Sequence, residues 1–567
     1  MPRPLQAALA LLALGALALG GRWLLRGGRG PAAPAGFPGG TPLPPSDLAP
    51  PAARVPPVLP LRWFEVPAAE TGVDFVHTWG GGTMDNIVKA SGGGVTLFDS
   101  DGDGDADLYL VQGAVDDFAA PGERPPRPWR NRLYRNDGGW RFTDATDASG
   151  LGDEGYGMGA AAADYDGDGD EDLFVANFGP DRLYRNDGGR FTDVTAASGI
   201  RTDGFSVGGA WGDADGDGVL DLVVCGYLVF DPAVKPGGPG EPFPGPSAYR
   251  GEPTRLLLGN GDGTFRDATL AGGLWTTEGR GMSVAFADLD GNGTEEILVS
   301  NDATPNFVYE RRGGGRWVER GFLLGLALSD LGQSRSSMGI AVFDADRDGR
   351  PDVAIPDGSG GAFYRNLGGR FEDRAAASGI DGAMGGRTGW SATPVDYDLD
   401  GFPDLAVTCG ALHALEPQKP VLFRNLGGGY FEDASAATGF GRDCMGRGCA
   451  AADLDGDGDP DLVIATLGAR PLLLRNDGGE KRRSLAVRCV GRGRNRDALG
   501  AVVEVEANGL VQREEVRTTQ GYLSGSGPEI LFGLGDAAEA ARVRVRFPSG
   551  EVRERAKVPA GRVVIGE

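Results

Sequence analysis

The sequence predicts an all-β fold: a seven-bladed β-propeller closed by its own N-terminal strand, followed by a small C-terminal β domain. Three observations carry this. An acidic ten-residue stretch recurs seven times, a strand-turn-strand pattern repeats around it every 50 to 75 residues or so, and the strand missing after the last repeat reappears before the first. Repeats of that length are typical of propellers, and helical solenoids repeat at shorter intervals.

The acidic stretches begin DSDGDGDADL at Asp99, DYDGDGDEDL at Asp164, DADGDGVLDL at Asp213, DLDGNGTEEI at Asp288, DADRDGRPDV at Asp344, DYDLDGFPDL at Asp396 and DLDGDGDPDL at Asp453. Positions 1, 3, 5 and 9 are Asp99, Asp101, Asp103 and Asp107 in the first loop, and Asp164, Asp166, Asp168 and Asp172 in the second. The third has Asp213, Asp215, Asp217 and Asp221, and the fourth Asp288, Asp290, Asn292 and Glu296. Asp344, Asp346, Asp348 and Asp352 follow in the fifth, Asp396, Asp398, Asp400 and Asp404 in the sixth, and Asp453, Asp455, Asp457 and Asp461 in the seventh. Alternate residues of a tight loop can turn their oxygens to one centre, and the glycine at position 6 supplies the positive φ that the turn needs. A hard cation with six to eight oxygen ligands suits such a set, so the expected cofactor is calcium, up to seven ions. Position 12 is Leu110 in the first loop and Val175 in the second, and strands follow the loops, so the pattern is not an EF-hand. Polar hairpins without metal would not repeat four acidic positions seven times. The fourth loop is the weakest site, with an amide at position 5 and Glu at position 9. Its Asn292-Gly293-Thr294 is also a glycosylation sequon, but a place inside a metal loop argues against modification.

In the second repeat a small-residue strand, GMGAAAA, enters the loop and an alternating strand (Leu173, Val175) leaves it. Leu183-Tyr184-Arg185 forms a third strand, Asn186-Asp187-Gly188-Gly189 a hairpin turn, and Phe191 to Val194 a fourth. The same turn recurs at Arg135, Gly259, Arg311, Arg365 and Arg424, but after Arg475 it runs into EKRRS with no strand behind it. Trp63-Phe64-Glu65-Val66 through Gly72-Val73 has the form of Phe191 to Ile200, so it completes the seventh blade and leaves no open sheet edge. The propeller is assigned to residues 61–480. Two irregular segments stand out: Val76 to Ser91, and a third-repeat insertion from Tyr227 to Pro253 with seven prolines and the aromatics Phe230, Phe243 and Tyr249. Long loops on a rigid scaffold serve recognition or simply pack over the blade beneath.

From 485 to 567 the pattern changes. Two alternating strands meet at Asn508-Gly509, a hairpin signal, and a later strand sets Val543, Val545 and Phe547 opposite Arg542, Arg544 and Arg546. Those arginines read as a solvated face, with docking on the acidic ring as the alternative.

The 98 glycines and 38 prolines would suggest disorder if scattered, but most glycines recur at fixed places and read as turns. Of the net charge of −25, residues 1–60 carry +4 and residues 481–567 carry +5, which leaves −34 in the middle. That balance excludes a nucleic-acid partner and suits divalent ions. Residues 1–26 hold Arg3, an apolar run from Leu5 to Leu19 and a cleavage-type Ala16-Leu17-Ala18, as in an export signal. Trp23, Leu24 and Leu25 extend the run, so a retained membrane anchor stands beside cleavage. Residues 27–60, with eleven prolines, are an extended linker. The expected location is therefore exported: secreted, periplasmic, or anchored to the outer side of a membrane. Cys444 and Cys449 share one turn, CMGRGC, and a small disulfide between them fits an oxidising compartment, whereas Cys225, Cys409 and Cys489 read as buried thiols.

The repeats resemble the FG-GAP/VCBS repeats of integrin-type propellers. NRDALGA at Asn495, GYLSGSG at Gly521, LFGLG at Leu531 and FPSG at Phe547 resemble the ASPIC/UnbV domain. The two together are similar to the cartilage acidic protein family over residues 61 to 567. Phe547 stands where that family commonly has Trp, a change of packing, and the third-repeat insertion lacks the cysteines of many relatives. The resemblance implies an exported calcium-binding protein of adhesive type, and a protein or glycan is the expected partner. No enzyme is expected: the chain has only His77 and His413, with no nucleophile elbow and no HExxH sequence. The resemblance places a histidine near His77, and a lone histidine is more often a packed residue than a catalyst. The competing readings are a glycan-active lyase or hydrolase on the same loops, and a purely structural surface protein.

Overall fold

A computed structural model describes residues 63–79, 84–113, 129–236, 242–313, 315–358, 360–412, 416–478 and 482–567. The export segment, the proline-rich linker and His413 lie outside the described residues.

Seven sheets form the blades, each with four antiparallel strands, and blade one gains a fifth strand from the C-terminal domain. In blade two, Tyr156–Ala163 pairs with Asp172–Phe178, then with Arg182–Asn186 and Phe191–Asp193 in order. The acidic loop joins the first strand to the second in every blade. The first strands, such as Gly281–Ala287 in blade four and Gly446–Ala452 in blade seven, lie innermost and are rich in Gly and Ala. Small residues there let seven strands converge on one axis. Trp63–Glu65 supplies the fourth strand of the last blade, antiparallel to Leu472–Asn476 with Trp63 opposite Asn476. Blades seven and one share a core that includes Val73, Leu97, Leu108, Val463 and Leu473, so the predicted closure is present.

A four-residue helix follows the fourth strands. Thr195–Ser198, for example, ends on Gly199 at φ 80, and Ala68–Thr71 after the closing strand ends on Gly72. Sequence periodicity does not reveal these turns because four residues give no helical repeat.

The third-repeat insertion is packed down. Phe243 and Tyr249 are buried in the main core, Phe230 packs edge-on to Phe178 and tilted against Tyr249, and the Arg280 guanidinium donates to the Pro246 and Tyr249 carbonyls. All five cysteines are buried free thiols. The disulfide expected between Cys444 and Cys449 is therefore absent. Cys449 is held in a strand opposite Ile464, while the Cys444 backbone pairs with Gln418 of the neighbouring blade.

The C-terminal domain has two sheets. Arg483–Val490 is flanked by Ile530–Gly535 and, in parallel, by Gly561–Gly566. The second sheet runs Leu510–Glu515, Val502–Ala507, Glu539–Arg546, Val552–Pro559. Asn508 and Gly509 take positive φ values of 51° and 75° in the predicted hairpin turn, and Val543, Val545 and Phe547 are fully buried. One segment of this domain leaves it. Ser524–Gly525 pairs in parallel with Val95–Phe98 and becomes a fifth strand of blade one. Around it, residues 519–526 touch the innermost strands all round the ring. Thr519 Oγ1 donates to the Gly209 carbonyl, Ser283 Oγ donates to the Gly521 carbonyl, and Gly521 pairs with Ile340. Tyr522 N donates to Ser391 Oγ, and Ser524 Oγ accepts from Cys449 N. The segment GYLSGSG thus fills the axis of the propeller.

Candidate metal centres and the face they form

Each acidic loop is folded by its own first carboxylate. Asp164 Oδ1 accepts the N–H groups of Gly167 and Asp168, and its Oδ2 accepts that of Gly169. The position-6 glycines all take positive φ, from 84° at Gly218 to 109° at Gly169. Position 4 is left-handed too, and in the fifth and sixth loops it is not glycine: Arg347 sits at φ 60 and Leu399 at φ 51.

In the first four loops the carboxylates of positions 1, 3 and 9 converge, each offering an oxygen within 4.8 Å of the others: Asp99, Asp101 and Asp107; Asp164, Asp166 and Asp172; Asp213, Asp215 and Asp221; Asp288, Asp290 and Glu296. In the fifth the group is Asp344, Asp346 and Asp348. Position 5 is drawn into the loop, where Asp103, Asp168, Asp217, Asn292 and Asp348 accept the N–H two residues on. Asp400 and Asp457 do the same in the sixth and seventh loops.

Position 9 is the deepest, and the side chain is at most 1 % exposed in all seven loops. Burial pushes Asp107 up to about 7, Asp221 and Glu296 to about 8 and Asp172 to about 9. Asp352, Asp404 and Asp461 rise well above the usual carboxylate range for the same reason, with neighbouring carboxylates adding to it. Several oxygens in these groups have no donor at all. Asp101 Oδ1, Asp166 Oδ1 and Asp215 Oδ1 at position 3 are buried and unpartnered, as are Asp288 Oδ1 and Glu296 Oε1 in the fourth loop; Asp398 Oδ1 in the sixth also accepts no hydrogen bond but lies 3.1 Å from Arg482 Nη1. A buried carboxylate oxygen without a donor carries a desolvation cost of about 1–3 kcal/mol. Converging anionic oxygens of this kind fit a hard cation such as calcium.

Sequence reading missed a clasp between blades. The asparagine that ends the third strand is at most 3 % exposed in blades one, two, five, six and seven. Its backbone N–H donates to the position-9 carboxylate of its own loop: Asn136 to Asp107, Asn186 to Asp172, Asn366 to Asp352, Asn425 to Asp404 and Asn476 to Asp461. Its side-chain amide donates to position 2 of the preceding loop, at Leu454, Ser100, Leu289, Ala345 and Tyr397. The signal was the repeated Arg-Asn before the glycine turn; blades three and four have Gly259 and Arg311 at that register.

The C-terminal domain sits against this loop face. Arg494 donates to the Asp166 carbonyl, Asp497 accepts Asp164 N, Ser484 bonds the Gly458 carbonyl, and Gly535 N donates to the Leu399 carbonyl. Arg562 donates to the Gly104 carbonyl, and Glu515 accepts Asp288 N. The solvated-face expectation holds for Arg542 and Arg544, which pair with Glu506 and Glu504. It fails for Arg546, whose guanidinium lies 3.7 Å from Asp288 in the fourth loop.

At the opposite end, His77 is buried and both ring nitrogens lack partners. Burial, then the nearby Arg447, push its pKa down to about 3. Arg447 itself is buried, stacked 3.7 Å from the Trp390 ring centroid, and donates to the Ala90, Gly446 and Ala411 carbonyls.

Residues 113–175, 164–224, 247–299, 288–355, 344–407 and 412–464 match the family profile described as FG-GAP-like repeat, and residues 491–565 match that of ASPIC and UnbV. Cartilage acidic protein 1 of Mus musculus is 27 % identical over 320 residues, 54 % of this chain and 47 % of the relative. The Homo sapiens protein of that name is 27 % identical over 321 residues, 54 % of this chain and 46 % of the relative. The matched region thus spans about half the length of these curated relatives. Among solved structures, an Agrocybe aegerita lectin that recognises non-reducing terminal N-acetylglucosamine aligns over 60 % of this chain and 79 % of its own, with 20 % identity and a TM-score of 0.37.

Proposed function

Because the chain belongs to the FG-GAP-like repeat family and carries a C-terminal ASPIC and UnbV domain, we propose that it is an exported, calcium-stabilised binding module that presents a protein- or glycan-recognition surface. The observation that carries the calcium part is the set of buried, donorless oxygens of Asp101, Asp166, Asp215, Asp288 and Glu296, one or two in each of four loops. Asp, Asn and Glu side chains at positions 1, 3, 5 and 9 would supply the ligands. Bound calcium would neutralise the crowded carboxylates and fix the loops on which the C-terminal domain rests.

The recognition part follows from which face is taken. The C-terminal domain occupies the loop face, so a partner meets the other end, where the second strands finish and the packed insertion lies. Its aromatics are pinned by the core, which gives a rigid platform in place of a mobile loop. The reading is of a binder: His77 is buried and its pKa is pushed down to about 3 by burial and then by Arg447, which fits a packed residue. Among the described residues no helix is long and apolar enough to cross a membrane.

The test is a thermal melt of the full chain after chelation, with calcium restored stepwise and bound metal counted. With site dissociation constants of about 10⁻⁴ to 10⁻³ M, 10 mM calcium adds about 1.4–2.7 kcal/mol for each filled site. A melt that ignores calcium, with no metal bound, would remove the proposal. Turnover on a polysaccharide panel would replace the binder with a lyase or hydrolase.

A further inference from the structure

The seven loops are not chemically equivalent, and the difference is set by a residue outside them. The third strand ends in Arg-Asn in five blades. In blades one, two and seven the next residue is Asp, and the arginine turns to it: Arg135 Nη2 lies 2.7 Å from Asp137, Arg185 Nη2 2.9 Å from Asp187, and Arg475 Nη2 3.0 Å from Asp477. In blades five and six the next residue is Leu367 or Leu426, which offers no carboxylate. There the arginine reaches into the acidic loop. Arg365 Nε lies 2.6 Å from Asp346 Oδ2, and Arg424 Nη2 lies 3.1 Å from Asp398 Oδ2 and 3.6 Å from Asp400 Oδ2.

Second cations reinforce both contacts. Arg350 pairs with Asp348 in the fifth loop. Arg482 Nη1 lies 3.1 Å from Asp398 Oδ1 in the sixth. Arg424 is 1 % exposed and Asp398 2 %, so this is a buried pair and not a surface contact that solvent exchanges freely. At position 3 of loops five and six, Asp346 Oδ2 and both oxygens of Asp398 lie within 3.1 Å of a guanidinium nitrogen, whereas in loop three the exposed Arg266 stays 3.4 Å from Asp215 Oδ2 and Asp215 Oδ1 is left without a partner. These two loops are also the ones with Arg347 and Leu399 in place of the position-4 glycine.

Resting on the calcium reading above, we propose that loops five and six are closed by arginine side chains in place of a metal ion, so that at most five of the seven loops take calcium. A guanidinium supplies a fixed positive charge and directed donors to the same oxygens that a metal would need, and the two cannot occupy them together.

The test is a bound-calcium count on the full chain at saturating calcium, for wild type and for loop variants. Asp166→Asn is expected to lower the count by one and Asp398→Asn to leave it unchanged. Leu367→Asp combined with Arg350→Gln, and Leu426→Asp combined with Arg482→Gln, which recreate the turn carboxylate and remove the second cation, are each expected to raise it by one. Asp187→Leu, which frees Arg185 to turn inward, is expected to lower it by one. Seven ions in the wild-type chain, or a loss of one ion in Asp398→Asn, would overturn this inference and leave the calcium reading standing. No bound ion in any variant would overturn both.

Discussion

Tyr522 is the side chain on which the axial segment turns. It is fully buried, its ring centroid lies 5.1 Å from that of Trp390 at 52°, and its backbone N–H donates to Ser391 Oγ. Truncating a fully buried aromatic ring to alanine costs about 3–5 kcal/mol, because the surrounding strands cannot collapse into the space. The hydroxyl contributes little: it lies 3.5 Å from the Ser91 carbonyl, at the outer limit of a hydrogen bond. Tyr522→Ala is therefore expected to lower unfolding stability by about 3–5 kcal/mol and Tyr522→Phe by less than about 1 kcal/mol. Val511→Ala, at an exposed position of the C-terminal sheet, should stay within about 0.5 kcal/mol of wild type. Urea unfolding in saturating calcium, followed by tryptophan fluorescence, reads all three. An alanine variant within about 1 kcal/mol of wild type, or a phenylalanine variant as damaged as the alanine, would refute the seating of this loop in the ring.

Asn186→Ala removes the amide that donates to both Ser100 and Glu171 carbonyls, and leaving these buried acceptors unpaired should cost about 2–4 kcal/mol by urea titration. In chelator, melting temperature should fall from pH 5 to pH 8. Asp107, Asp221 and Asp172 have folded-state values raised to about 7, 8 and 9, so the folded chain holds protons that the unfolded chain has released, and the advantage is lost as pH rises through those values. Saturating calcium should remove or reverse that slope, since metal binding needs the deprotonated carboxylates; a rising slope in chelator would contradict it. Thiol titration should find no reactive cysteine in the native chain and five after denaturation, because burial raises Cys444 to about 11 and Cys449 to about 12. Three thiols on denaturation would mean that the pair is oxidised.

The blades were legible because their signals are local. Alternating residues, a glycine turn and an acidic loop recur within one span of chain, and the match between Trp63 to Val73 and Phe191 to Ile200 made even the closure readable. What escaped were contacts that no period announces. GYLSGSG has no amphipathic alternation, and its partners are small-residue strands up to hundreds of residues away. Arg365 and Arg424 carry the same letters as Arg135 and Arg185; only the next residue, Leu or Asp, decides whether the guanidinium turns outward or into the loop. The disulfide suggested by CMGRGC failed for a related reason, since sequence proximity says nothing of the strand that pins Cys449. The insertion's aromatics were visible in the sequence, but not the core beneath that takes them in.

The pairing of Trp63–Glu65 with Leu472–Asn476 also fixes an order of assembly. Within the propeller, Trp63–Glu65 is made first and waits unpaired until nearly the whole ring has been made, and the axial segment that seats against all the inner strands arrives later still. Contacts so distant in sequence make slow folders with long-lived exposed edges. Closure of this ring therefore waits until residue 476 has been made, and a chain cut off between Asp433 and Gly446 has six sheets and an open seam.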